Sequence, residues 1–189
     1  MIDFYQRIEE HIETVTALRP IAGELERVAR KIVASLKDGG KVLWMGNGGS
    51  AADCQHLAAE LVGRYYRERE GFASMALTAD TSVLTSVGND YGFDKIFVRQ
   101  VAALCRSGDI VVGISTSGNS ANVNLALERA RKLGAVTVGL TGGENGAIRD
   151  IVDHCLAVPS TAVPRIQEAH ILIGHLLCEC VEEEMTDRV

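Results

Sequence analysis

The chain has no excess of positive charge: nineteen Lys and Arg stand against twenty-five Asp and Glu among 189 residues, a formal net charge of −6. That balance argues against a general affinity for nucleic acid. An anionic ligand must then be held by local dipoles and hydroxyls rather than by a basic field. Also missing is any run approaching the ~18 apolar residues that span a bilayer. The first residues, Met1-Ile2-Asp3-Phe4, lack the basic-then-apolar order of a secretory signal, so a cytoplasmic protein is expected. There is no C-x-x-C pair. Cys54, Cys105, Cys155, Cys178 and Cys180 are odd in number and read as reduced, mostly buried thiols, with Cys178 and Cys180 on different faces of a helix. Repeats, low-complexity runs and linkers are absent, and residues 1–189 suit a single domain with a full core.

What is present is an alternation of two periodicities. Apolar runs at Val42–Met45, Ala73–Leu77, Ile110–Ile114, Val136–Leu140 and His154–Val158 read as strands. Helical stretches at Ser50–Arg64, Phe93–Cys105, Asn119–Leu133 and Gly146–Ile151 separate them. Such alternation predicts an α/β fold, a parallel sheet of five strands with helices on both faces. Two helices precede the pattern. Tyr5, Ile8, Ile12 and Val15 share one face of the first, and Leu25, Val28, Ala29, Ile32, Val33 and Leu36 stripe the second. A long helix follows it, with Pro164 in the first turn and Ile166, Ala169, Ile173, Leu176, Leu177 and Cys180 as its stripe. Glu182-Glu183-Glu184 reads as its solvated end. These terminal helices exceed what five strands need for cover, so they are expected to pack against copies of the chain.

Two loops concentrate the chemistry. Gly46-Asn47-Gly48-Gly49-Ser50 and Ser115-Thr116-Ser117-Gly118-Asn119-Ser120 each follow a strand and open a helix. Free backbone N–H groups and a helix dipole there converge on one spot, an anion site that most often takes phosphate. One such loop alone is equally a tight turn capped by Ser50, or by Asn119 or Ser120. The pair together points to a phosphorylated small molecule. Gly46-x-Gly48-x-x-Ala51 also matches the dinucleotide fingerprint, but the acid expected about twenty residues on is poorly placed, with Asp80 the candidate. Gly88-Asn89-Asp90 is either a turn before a helix or a set of sugar-hydroxyl contacts.

His56 and Glu60 are four apart on the helix opened by the first loop, ~40° apart around its axis and ~6 Å along it. They can supply two metal ligands, or one ligand and one base, or form an ordinary surface pair. On the terminal helix Gln167 and His175 are eight apart, ~12 Å along the axis. They reach one ion only by leaning together or by coming from different subunits, and Glu168 and His170 are equal candidates by position.

These motifs carry a resemblance. G-N-G-G-S-A-A-D-x-Q-H-x-A-x-E over Gly46–Glu60, G-N-D-x-G-F at Gly88–Phe93, G-I-S-T-S-G-N-S-x-N over Gly113–Asn122 and R-I-Q-E-x-H-x-x-x-x-H over Arg165–His175 resemble the phosphoheptose isomerases of the sugar-isomerase (SIS) domain superfamily. The resemblance implies a three-layer, flavodoxin-like sandwich with extra terminal helices, residues 1–38 serving oligomer packing. It further implies a cytoplasmic homotetramer with active sites between subunits, and isomerisation of sedoheptulose 7-phosphate toward the heptose of lipopolysaccharide. Ser115, Thr116, Ser117 and Ser120 would hold the phosphate or nearby hydroxyls. Asn47, Gly48, Gly49, Asn89, Asp90 and Gln167 would line the sugar. Glu60 and His175 would be the acid–base pair, and His56, Glu60, Gln167 and His175 would bind zinc. Non-catalytic paralogues, phosphosugar-sensing regulators and dinucleotide-dependent oxidoreductases are the rivals. The presence of both Glu60 and His175 favours the enzyme.

Overall fold

The computed structural model of the chain describes residues 1–143 and 146–186. It contains a parallel sheet of β1 (Val42–Gly46), β2 (Ser74–Ala76), β3 (Ile110–Ser115), β4 (Val136–Thr141) and β5 (His154–Ala157), in the order β2-β1-β3-β4-β5. The helices are α1 (Phe4–Thr16), α2 (Ala22–Lys37), α3 (Gly49–Val62), α4 (Thr81–Tyr91), α5 (Ile96–Leu104), α6 (Ala121–Lys132), α7 (Ile148–Ile151) and α8 (Val163–Met185).

Strand alternation sorts the core into two layers. Val42, Trp44, Ile110, Val112 and Ile114 face α2, α3 and α8. Leu43, Met45 and Val111 face α5, α6 and α7. The three central strands are buried on both faces, which is why they read as unbroken apolar runs. Trp44 is fully buried and its indole N–H donates to Ser74 Oγ at 2.9 Å, so its one polar atom is satisfied.

Four expectations change. Residues 81–91 form α4, whereas the sequence left Gly88–Asp90 as either a turn before a helix or a set of sugar-hydroxyl contacts. The helix buries no residue fully, although Leu84 and Val87, three apart, pack against the core. Asp80, the candidate ribose acid, caps that helix by accepting from Val83 N at 3.0 Å. The excess of terminal helices narrows to α1. Helix α2 and all of the α8 stripe but Leu176, which is 43% exposed, pack into this chain, whereas Phe4, Tyr5, Ile8 and Ile12 of α1 are 66%, 84%, 57% and 48% exposed. Lastly, Glu182 is buried rather than solvated, because a loop 115 residues away closes over it.

The five cysteines are free thiols, as expected, with Cys54, Cys105 and Cys178 buried. Burial pushes the Cys178 thiol up to about 12 and also raises Cys54, so these groups stay protonated and inert. Among the described residues no helix is long and apolar enough to cross a membrane.

Candidate active site

The strand order reverses direction between β1 and β3, and in open α/β sheets the carboxyl ends of the strands at such a point are where ligands bind. Both Gly/Ser loops leave the sheet at this point. Gly48 (φ +57°) starts α3, and that helix has no side-chain N-cap. Ser50, the cap in the alternative reading of this loop as a plain turn, is a buried residue of the first turn. Ser120 does stand at the N-cap of α6, yet its hydroxyl bonds elsewhere, 2.9 Å from Ser115 Oγ. Ser117 Oγ lies 3.5 Å from Ser115 Oγ and accepts from Asn119 N at 3.2 Å. Gly118 (φ +68°) makes the reversal that folds these hydroxyls together. Two uncapped helix N-termini beside three hydroxyls form an anion cradle without a basic side chain.

The two loops are tied by a reciprocal amide pair. Asn47 Nδ2 donates to Asn122 Oδ1 at 3.0 Å, and Asn122 Nδ2 donates to Asn47 Oδ1 at 2.8 Å. Asn122 is 3% exposed, so the bond is a fixed part of the crevice floor. The Asn47 carboxamide is therefore engaged within the protein. Behind the second loop, Gly142 N donates to Thr116 O at 3.0 Å, and His170 on α8 lies 3.2 Å from the carbonyl of Thr141. A carbonyl only accepts, so His170 carries its proton on Nε2. Burial lowers the His170 pKa to about 4, against a smaller upward pull from the Thr141 carbonyl, which keeps the ring neutral. A cleft of about 220 Å³ adjoins the loop, lined by Thr116, Ser117 and Asn119 on one side and Ser160, Thr161 and Ile166 on the other.

The second cluster lies along the seam of α3 and α8. A Cβ on Gly174 would stand 2.4 Å from Leu57 Cδ1, so glycine there lets the helices approach closely. Their next residues then meet. His56 Nε2 is 2.9 Å from His175 Nε2, and Glu60 Oε1 is 3.3 Å from His56 Nε2. One ligand atom from each lies within 4.8 Å of the others. Two ring nitrogens at that separation repel unless one is protonated or a cation lies between them. Tetrahedral zinc, with Zn–N bonds of 2.0–2.1 Å, would set them about 3.3 Å apart. The donor set thus fits a metal ion. Asp53 is one turn earlier on α3; burial raises its carboxyl pKa, which the nearby His56 and His175 partly offset. Its Oδ2 is buried without a hydrogen-bond partner.

Comparison with known proteins decides the family. The SIS domain family matches residues 3–142. Phosphoheptose isomerase from Geobacter sulfurreducens is 58% identical over 167 residues, 88% of each chain. That of Akkermansia muciniphila is 54% identical over 169 residues, 89% of each. The chain belongs to the phosphoheptose isomerase family. A solved phosphoheptose isomerase from Neisseria gonorrhoeae superposes with a TM-score of 0.90 at 43% identity, covering 95% of this chain and 96% of that one. The architecture is therefore the expected α/β SIS fold.

Within this phosphoheptose isomerase family member, the structure gathers Ser115, Ser117 and Ser120 around one point, sets Thr116 against the neighbouring cleft, and brings His56, Glu60 and His175 into one group. It does not bring all the expected residues into one contact set. Gln167 packs against Gly49, where its Nε2 would be 2.7 Å from an added Cβ, two turns of α8 before His175. Asn89 and Asp90 lie exposed on the last turn of α4, bonded to one another at 2.8 Å, and no hydrogen bond joins them to either loop. Ser160 and Gly174 had no role in the sequence reading, and Asn122 entered it only as the end of a motif, with no contact assigned. An asparagine in the first turn of a helix, two residues after a cap, was the available signal for Asn122.

Proposed function

We propose that the chain isomerises sedoheptulose 7-phosphate to D-glycero-D-manno-heptose 7-phosphate through an enediol. The meeting of Glu60, His56 and His175 on one seam carries this reading. The phosphate lies in the cradle of Ser115, Thr116, Ser117 and Ser120, with the N–H groups of α6 beneath it. The sugar passes Asn47, Gly48, Gly49 and Gln167, while Asn89 and Asp90 approach it from α4.

Glu60 and His175 form the acid–base pair. One takes a proton from C1 as the C1–C2 bond gains double-bond character and the C2 oxygen is protonated. A proton is then returned to C2, and the C1 hydroxyl gives up its proton to become the aldehyde. Electrons move from C1 to C2 within the substrate, so no external oxidant is needed. His56, Glu60 and His175 would hold zinc. Gln167, the fourth ligand the resemblance implies, would join them by a swing of its side chain or from a neighbouring subunit. Bound there, zinc would polarise the ketose carbonyl and stabilise the enediolate.

Residues 1–189 act as one SIS domain in a cytoplasmic homotetramer, with active sites shared between subunits and residues 1–38 in the packing. The exposed apolar stripe of α1 supports this. The product would feed lipopolysaccharide heptose synthesis. Incubating purified protein with sedoheptulose 7-phosphate tests the function: an aldoheptose 7-phosphate should appear by NMR, and an unchanged ketose would refute it.

A further inference from the structure

The connection between α3 and β2 has no regular secondary structure over residues 63–73, so its backbone polar groups need other partners. One carboxylate provides several. Glu182 Oε1 accepts from Tyr65 N at 2.9 Å and from Arg69 Nε at 2.9 Å. Its Oε2 accepts from Tyr66 N at 2.7 Å and Arg67 N at 2.9 Å. The two charged side chains are 5% and 3% exposed, so they form a buried ion pair with its lone pairs filled.

The pair is joined to both members of the proposed acid–base couple. Arg69 Nη2 donates to the carbonyl of Glu60 at 3.0 Å, and Nη1 donates to Leu61 O at 2.9 Å and Gly63 O at 3.3 Å. These are carbonyls of the last turn of α3 and its end, which lack helical partners. The guanidinium also stacks on Phe72 at 3.9 Å, which fixes its plane. Glu182 lies seven residues beyond His175 on α8, within about 20° of the same face. The ring of Tyr65, whose N–H Glu182 holds, is 5.8 Å from that of His175.

We propose that Arg69 and Glu182 are positioning residues for the isomerase: together they clamp the end of α3 to α8 and hold Glu60, Tyr65 and His175 in register. A buried ion pair is a costly way merely to fill space, since apolar residues of similar volume usually stabilise as well or better. The fork of arginine answers a different need. It bonds the carboxylate through Nε and carbonyls through both Nη atoms, a spread of acceptors that lysine would have to meet from one nitrogen with three donors.

This inference rests on the isomerase reading, so its test carries a second readout. Arg69→Lys, Glu182→Gln and Tyr65→Ala, at a partly buried ring on the rim of the core, are compared with the wild type by circular dichroism, by kcat and KM for sedoheptulose 7-phosphate, and by zinc affinity in competition with a chromophoric chelator. Folded Arg69→Lys and Tyr65→Ala should keep KM within about twofold, while kcat and zinc affinity each fall about tenfold or more, the range for groups that orient a metal's ligands. If the two clamp variants fail to fold, Tyr65→Ala carries the test. Folded variants with kcat and zinc affinity within about twofold of the wild type, or a loss confined to thermal stability, would overturn the proposal. A wild type that turns over no sugar contradicts the isomerase reading instead, and the zinc measurement still reads the clamp.

Discussion

His56 and His175 bring their Nε2 atoms within 2.9 Å of one another because their neighbours, Leu57 and Gly174, allow α3 and α8 to touch. Leu57 is fully buried, so its side chain can yield only by repacking the close-packed core around it. Gly174→Ala should therefore spread the helices, although alanine normally favours a helix by about 1 kcal/mol over glycine. The expected result is a loss of zinc affinity and of kcat, read by metal titration and steady-state kinetics. An unchanged or improved enzyme would show that the close approach is not needed.

Removing metal tests the same cluster from another side. Dialysis against a chelator should abolish turnover, and added zinc should restore it. His56→Ala should lower zinc affinity by at least tenfold, given that it removes one of three converging donors. Full activity in metal-free protein would exclude the zinc assignment.

The crevice makes a separate prediction, because in the proposed function its hydroxyls would bind the phosphate without taking part in proton transfer. Ser115→Ala removes the hydroxyl that bonds Ser120, and should raise KM while leaving kcat within a few-fold. Asn122→Ala leaves Asn47 unpaired and should raise KM as well, with about 1–3 kcal/mol lost from stability in urea unfolding. An Asn122→Ala protein with wild-type KM would show that the amide pair does not shape the site.

His170 links stability to pH. Its pKa is lowered by burial to about 4 in the folded chain, against an ordinary 6.5. Between those values the unfolded chain binds the proton that the folded chain refuses, so stability falls as pH drops from about 6.5 to 4 and the loss is complete below. The full effect is on the order of 3 kcal/mol. Thermal unfolding of His170→Gln, whose amide can still donate to Thr141, should show a shallower acid slope than the wild type. Equal slopes would place the sensitivity elsewhere.

Much of this fold was legible because the signals are local. The apolar runs at Val42, Ile110 and Val136 are central strands buried on both faces, and the loops at Gly46 and Ser115 announce the helices they open. The pairing of His56 with Glu60 follows from helical spacing alone. What stayed hidden depends on tertiary contact. Nothing in the run Glu182-Glu183-Glu184 says that the first acid meets the backbone of Tyr65, Tyr66 and Arg67. Helix α4 offers only a short, partly buried stripe, Val83, Leu84 and Val87, beside the more conspicuous turn signal of Gly88-Asn89-Asp90. His175 was distinguishable from His170 only through the family motif; in the folded chain one ring faces His56 and the other is buried beneath Thr141.

The central claim is that the His56–Glu60–His175 seam performs the proton transfer, and solvent isotope exchange reads it directly. Sedoheptulose 7-phosphate incubated in deuterium oxide with the wild type should gain deuterium at C1 of the ketose and C2 of the aldose, followed by NMR. Glu60→Gln and His175→Ala, with circular dichroism unchanged, should show exchange reduced by at least about 100-fold. Exchange at the wild-type rate in either folded variant would contradict the account.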